Sequence, residues 1–123
     1  HSSYLAQDIG IELTFNEIRK LIKKNSGISC IALMGGDAEP NKINALASFI
    51  INHYSSIKVA WYSGRQELSE DIELGNFDFI KLGPYKGEFG PLNSRTTNQR
   101  FYKVSDGELI DITSKFWKHE TEN

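Results

Sequence analysis

The chain has 123 residues, 39% of them hydrophobic and 24% charged, with a formal net charge of -2. That is enough for one domain with a real core, and the charge argues against a broad nucleic-acid or membrane footprint. No stretch is long and apolar enough to span a bilayer, and the single cysteine, Cys30, rules out an intrachain disulfide and suits a reducing, cytoplasmic setting.

Residues 1–13 show little periodicity and read as a loop, with Tyr4 and Leu5 able to pack and Gly10 marking a turn. Thr14-Phe-Asn-Glu17 is a capping-box pattern. Phe15, Ile18, Leu21 and Ile22 then fall on one helical face. Arg19, Lys20, Lys23 and Lys24 lie outside that stripe. They suit a solvated face near a helix C-terminus, or else an anionic partner. Asn25-Ser-Gly27 ends the helix. Ile28–Met34 is an apolar run and reads as a buried parallel strand. Cys30 near its start is expected to be a buried core residue.

The strand runs into Gly35-Gly-Asp-Ala-Glu-Pro40. Gly35 and Gly36 allow backbone geometries that residues with a Cβ disfavour, and a close approach by a ligand. Asp37 adds a carboxylate where ligands of α/β folds bind. Pro40 suits the first turn of a helix, which extends to about Tyr54 with Ile43, Leu46, Ala47, Ile50 and Tyr54 facing the core. His53 reads as a surface residue that favours the helix C-terminus. Lys58–Gly64 is the next strand. Gln66 to about Leu74 is a short helix or an irregular crossover. Phe77–Gly83 is the third strand and ends in Gly-Pro-Tyr85.

Strand–crossover–strand repetition implies a parallel sheet with right-handed connections. Its strand ends lie together on one edge, so Asp37, Tyr62, Ser63, Lys81 and Tyr85 are expected to gather around one crevice. Lys86–Pro91 reads as a mobile loop. Leu92–Arg100 is strongly polar, and is either a hydrogen-bonding loop for a nucleotide, carboxylate or partner backbone or an ordinary solvated loop. Phe101–Val104 and Glu108–Ile112, with Asp106-Gly107 between them, form a hairpin pattern. Thr113–Trp117 is expected to dock by its aromatics, and residues 118–123 to fray. The fold class is therefore α/β, a single domain over residues 1–123 with a mostly parallel sheet and a C-terminal hairpin.

No Ser/His/Asp or Cys/His set is evident, and no His/Cys group has zinc spacing. Neither G-x-x-x-x-G-K-[ST] nor G-x-G-x-x-G occurs. The residues by themselves support a crevice for a small polar ligand and no particular reaction.

Four segments taken together resemble one family. Met34-Gly-Gly-Asp-Ala-Glu-Pro40, Ala60-Trp-Tyr-Ser-Gly-Arg65, Ile80-Lys-Leu-Gly-Pro-Tyr85 and Ser94-Arg-Thr-Thr-Asn-Gln-Arg100 occur in one order. In that order they look like the activating proteins of anaerobic ribonucleoside-triphosphate reductase, which are radical SAM enzymes. The resemblance covers roughly residues 1–117. It implies a partial (β/α) barrel whose first strand leads into a loop with three cysteines spaced C-x3-C-x2-C, which hold a 4Fe-4S cluster. It implies S-adenosylmethionine as cofactor, cleaved reductively to a 5′-deoxyadenosyl radical. That radical takes a hydrogen from a glycine of the partner glycyl-radical enzyme, with an electron donor such as flavodoxin. No nucleic acid or membrane partner is implied.

Position by position, Gly35, Gly36 and Asp37 match the family's Gly-Gly-Glu turn, which binds the methionine amino group. Tyr62, Ser63 and Gly64 match the next strand end, and Lys81, Gly83 and Tyr85 the one after. Asn98, Gln99 and Arg100 match the polar loop. The three cluster cysteines are not in this sequence, and one thiolate does not hold such a cluster. Metal ligands are therefore expected to be none. His1-Ser-Ser-Tyr4 resembles the residues immediately after the family's last cluster cysteine. The chain thus reads as an activase cut after its cluster loop, without its first barrel strand and inactive alone. A sheet edge is then left open where that strand belongs. The alternative is a non-catalytic, degenerate domain that binds a small polar ligand or a protein partner.

Overall fold

A computed structural model describes the backbone of residues 3–8 and all of residues 13–117. Six strands form one sheet in sequence order: β1 (Ser3–Asp8), β2 (Ile28–Met34), β3 (Lys58–Tyr62), β4 (Phe79–Leu82), β5 (Arg100–Ser105) and β6 (Glu108–Asp111). β1 to β4 are mutually parallel, and β5 and β6 are antiparallel to their neighbours. Helices α1 (Phe15–Lys24) and α2 (Pro40–His53) provide the first two crossovers. The third is irregular, with a 3-10 turn at Leu74–Asn76.

Successive parallel strands are neighbours throughout, so the order never reverses. With crossovers of one hand, every helix must then fall on the same face. The core agrees: Ile18 of α1 and Ile43, Leu46 and Ile50 of α2 share one buried cluster with Ile31, Leu33, Val59, Trp61, Ile80 and Leu82. Alternation puts the row Met34, Tyr62, Lys81 and Phe101, paired across four strands, on the opposite face. The tail covers part of that face: the Phe116 ring lies 4.6 Å from Phe101, and the Phe101 amide donates to the buried Thr113 hydroxyl at 2.8 Å. The expected aromatic docking of Thr113–Trp117 is therefore present.

The expectation for residues 1–13 needs correction. Ser3–Asp8 is not a loop but a strand, β1, which pairs in parallel with β2. The edge of β2 expected to be open is occupied, and a parallel strand does precede it. Parallel pairing is non-local, so a short segment without alternation can adopt it when a neighbouring strand supplies the template. The packing of Tyr4 and Leu5, the turn at Gly10 and the fraying of 118–123 lie outside the described residues.

Elsewhere the elements follow local chemistry. β2 begins and ends where expected, and β4 is shorter, Phe79–Leu82. Asp106 and Gly107 both have positive φ, 51° and 76°, as a two-residue hairpin turn requires. Cys30, expected to be buried, is half-buried. Burial and then the nearby Asp78 carboxylate push its thiol pKa up, outweighing Lys58. Among the described residues no helix is long and apolar enough to cross a membrane.

Thr14 caps α1: its hydroxyl oxygen accepts the Glu17 amide at 3.2 Å and lies 3.4 Å from the Glu17 carboxylate. Thr14→Ala should cost about 1 kcal/mol, seen as a lower urea midpoint with unchanged slope. Thr14→Ser should restore most of the loss.

Candidate functional site

One cleft of about 320 Å3 opens at the C-terminal ends of β2, β3 and β4. Met34, Gly35 and Asp37 line it from β2 and its exit, and Tyr62, Ser63 and Gly64 from β3. Lys81, Gly83, Pro84 and Tyr85 come from β4 and its exit, and Gln99 from the polar loop. Asp37, Tyr62, Ser63, Lys81 and Tyr85, expected to converge from the strand pattern alone, therefore do converge.

The strand ladder continues past the strand ends and holds these exits in register. The Gly35 amide donates to the Tyr62 carbonyl at 3.2 Å, and the Ser63 amide to the Lys81 carbonyl at 2.8 Å. Gly35 and Gly36 have φ of 83° and 71°. That left-handed pair turns the chain sharply from strand to helix, as two residues without Cβ can. From beneath, the buried Trp61 indole donates to the Gly35 carbonyl at 2.8 Å. The Gly36 carbonyl accepts the Glu39 amide at 2.9 Å, which leads into α2.

Asp37 does not cap α2. Its carboxylate crosses to the end of β3, accepting the Ser63 hydroxyl at 2.5 Å and the Gly64 amide at 3.1 Å. The Lys81 ammonium lies 4.8 Å from the centre of the Tyr62 ring. It forms no ion pair among the described residues. Burial pushes its pKa below the ordinary lysine value.

The lowered lysine value has a sign. Between it and the ordinary value, the unfolded chain holds a proton that the folded chain has released, so stability rises with pH there. Urea unfolding of wild type against Lys81→Met should show the difference moving in favour of wild type as pH rises through that interval. A pH-independent difference would mean that Lys81 keeps its proton in the folded chain as readily as in the unfolded one.

The polar loop is held against the strand exits by its own side-chain amides. The Asn98 side-chain amide donates to the Pro84 carbonyl at 2.9 Å and to the Gln66 side chain at 3.2 Å. Gln66 returns a bond to the Asn98 carbonyl at 2.6 Å, and Gln99 donates to the Gly83 carbonyl at 3.2 Å. These amides brace the cleft wall, and of the three residues only Gln99 lines the cleft. Arg100 pairs across the sheet with Leu82, on the helix-covered face, and its guanidinium meets Asp111 at 3.5 Å. Burial pushes the Asp111 carboxyl up, but its bonds from Thr113 and the charge of Arg100 outweigh that and hold it below the ordinary value. Gly36, Asn98 and Arg100 do not line the cleft.

Sequence reasoning missed three supports: the Trp61–Gly35 bond, Thr113, and Asn44. The buried Asn44 side chain donates to the Asp71 carbonyl at 2.8 Å and accepts the Glu73 amide at 2.9 Å. Only a polar residue on an otherwise apolar helix face could have signalled it.

The residues present do not fit an iron–sulfur cluster. The single cysteine, Cys30, lies four residues before Met34, about 13 Å back along β2 from the cleft. Among the described residues no group of three His, Cys, Asp or Glu side chains could hold a metal ion. The cleft has the size and polarity for a small polar ligand. The cleft reaches the lower end of the usual volume range, about 300–1,000 Å3. It carries one carboxylate, one cation and a glycine turn open to close approach. Compared with family models, curated proteins and solved structures, the chain matches none of them.

Proposed function

We propose that this chain is the S-adenosylmethionine-binding part of a radical SAM activase, one that installs a glycyl radical on an anaerobic ribonucleoside-triphosphate reductase or a related enzyme. One observation carries the reading: residues of the three segments that resemble the family's strand ends line a single cleft. The Gly35–Gly36 turn, beside Asp37, would receive the methionine ammonium, and Lys81 would receive its carboxylate. Tyr62 and Tyr85 offer ring faces to the rest of the cofactor. When bound, S-adenosylmethionine supplies the hydrogen-abstracting group. The protein's part is to orient it and keep water away from it.

On this reading a cluster would need cysteines other than Cys30, and flavodoxin or a similar protein would deliver the electron. The test is to sequence the coding DNA upstream of the His1 codon. An in-frame C-x3-C-x2-C ending next to His1 is the expected result, and the protein carrying it should bind iron and S-adenosylmethionine. A stop codon or a cysteine-free leader would overturn the activase reading.

A second reading is favoured by the place of Cys30, half-buried in β2 and away from the cleft. The chain is then a cluster-less module that uses the same cleft to bind a small polar ligand or a protein partner.

A further inference from the structure

The Asp37 carboxylate is engaged in the folded chain without any ligand. Oδ1 accepts the Ser63 hydroxyl, and Oδ2 the Gly64 amide. The Ser63 oxygen accepts in turn from the Arg65 amide at 3.0 Å. Ser63 is only 3% exposed, so this hydroxyl is shielded from water. A charge-assisted bond in such a place is stronger than one in solvent and holds its geometry. One side chain thus ties the exit of β2 to the exit of β3. The turn it steadies is Gly35–Gly36, already held from beneath by the Trp61 indole and ahead by the Glu39 amide. Each of the two glycine carbonyls has one donor, and a carbonyl oxygen accepts two.

We propose that Asp37 is a positioning residue: its clasp on Ser63 and Gly64 fixes the Gly35–Gly36 turn so that the Gly35 carbonyl oxygen, at the cleft lining, meets the ligand's ammonium. This rests on the reading of S-adenosylmethionine as the ligand. Both carboxylate oxygens are bonded across to β3, one bond to each, so the carboxylate is held in place by the strand exits before any ligand arrives. The residue type follows from the span. The side chain need only cross from one strand exit to the next, which aspartate does with its carboxylate seated on a backbone amide and a buried hydroxyl.

The two roles separate on Ser63. In the full-length protein, titration calorimetry with S-adenosylmethionine is compared for wild type, Ser63→Ala, Asp37→Ala and the double variant. The clasp predicts that each single variant binds about tenfold more weakly, and that the double variant is no weaker than either. 5′-Methylthioadenosine, which lacks the ammonium, should bind all four proteins alike. If Ser63→Ala binds S-adenosylmethionine as wild type does while Asp37→Ala loses affinity, the carboxylate meets the ligand itself and the proposal fails. It fails also if methylthioadenosine affinity drops by the same factor, because the clasp then supports the fold and not the turn. A wild-type protein that binds neither compound overturns the ligand reading, and this proposal with it. Hydrogen exchange reads the clasp separately: the Gly64 and Arg65 amides should be protected in wild type and released in Ser63→Ala.

Discussion

Replacing Trp61 with alanine should be the most damaging single change, costing about 3–5 kcal/mol and lowering Tm by more than about 10 °C. Trp61 is the largest of the fully buried side chains. It sits mid-sheet, paired with Leu33 on one side and Ile80 on the other, with the Phe77 ring centred 6.4 Å away. Truncation leaves a cavity that both neighbouring strands and the helix layer would have to fill. It also removes the donor to the Gly35 carbonyl. Trp61→Phe separates the two losses, since it keeps most of the apolar volume and deletes the indole N–H. The phenylalanine variant should fold with a smaller loss, about 1–3 kcal/mol, yet loosen the glycine turn. Amide exchange at Gly35 and Gly36 would report that loosening. An alanine variant that melts within a degree or two of wild type would mean that the sheet is not packed around this ring.

The same residue shows which parts of the molecule are legible in its sequence. An apolar run ending in small and polar residues marks a strand that enters a core and leaves at a site. Ile28–Met34 and Lys58–Gly64 both carry that pattern, and the cleft at their ends could be anticipated from it. The capping box at Thr14 and the Asp106-Gly107 turn are equally local, because their geometry is set within four residues. What the sequence does not display is who answers whom across the fold. The Trp61 indole and the Gly35 carbonyl are 26 positions apart, and nothing near either one announces the other. β1 is hidden for a related reason: Ser3–Asp8 has no period of its own and takes its conformation from β2. The polar loop is ambiguous in another way: a run of amides can face a ligand, but backbone carbonyls shielded from water at strand exits also need donors. Asn98 and Gln99 satisfy those of Pro84 and Gly83.

That bracing makes Gly83→Ala the second large effect, a loss of about 1–3 kcal/mol with a measurable widening of the cleft. Gly83 has φ of 104°, and a Cβ there would lie 3.1 Å and 3.2 Å from the Gln66 side-chain amide and 3.3 Å from the Asn98 carbonyl. The cost therefore has two parts, backbone strain and displacement of the Gln66–Asn98 pair. Gly27 isolates the first part: its φ is 90°, and a Cβ there would meet nothing within 4 Å. Gly27→Ala should thus report strain alone. The excess at Gly83 should report the wall, with Gln66→Ala relieving part of it by making room. If Gly83→Ala and Gly27→Ala melt together, the amide pair yields freely, and the wall that presents Tyr85 to the cleft is soft. If Gly83→Ala is the weaker and Gln66→Ala rescues it, the cleft is held in shape before any ligand arrives. Affinity then draws on a geometry fixed during folding, with little left to be ordered on binding.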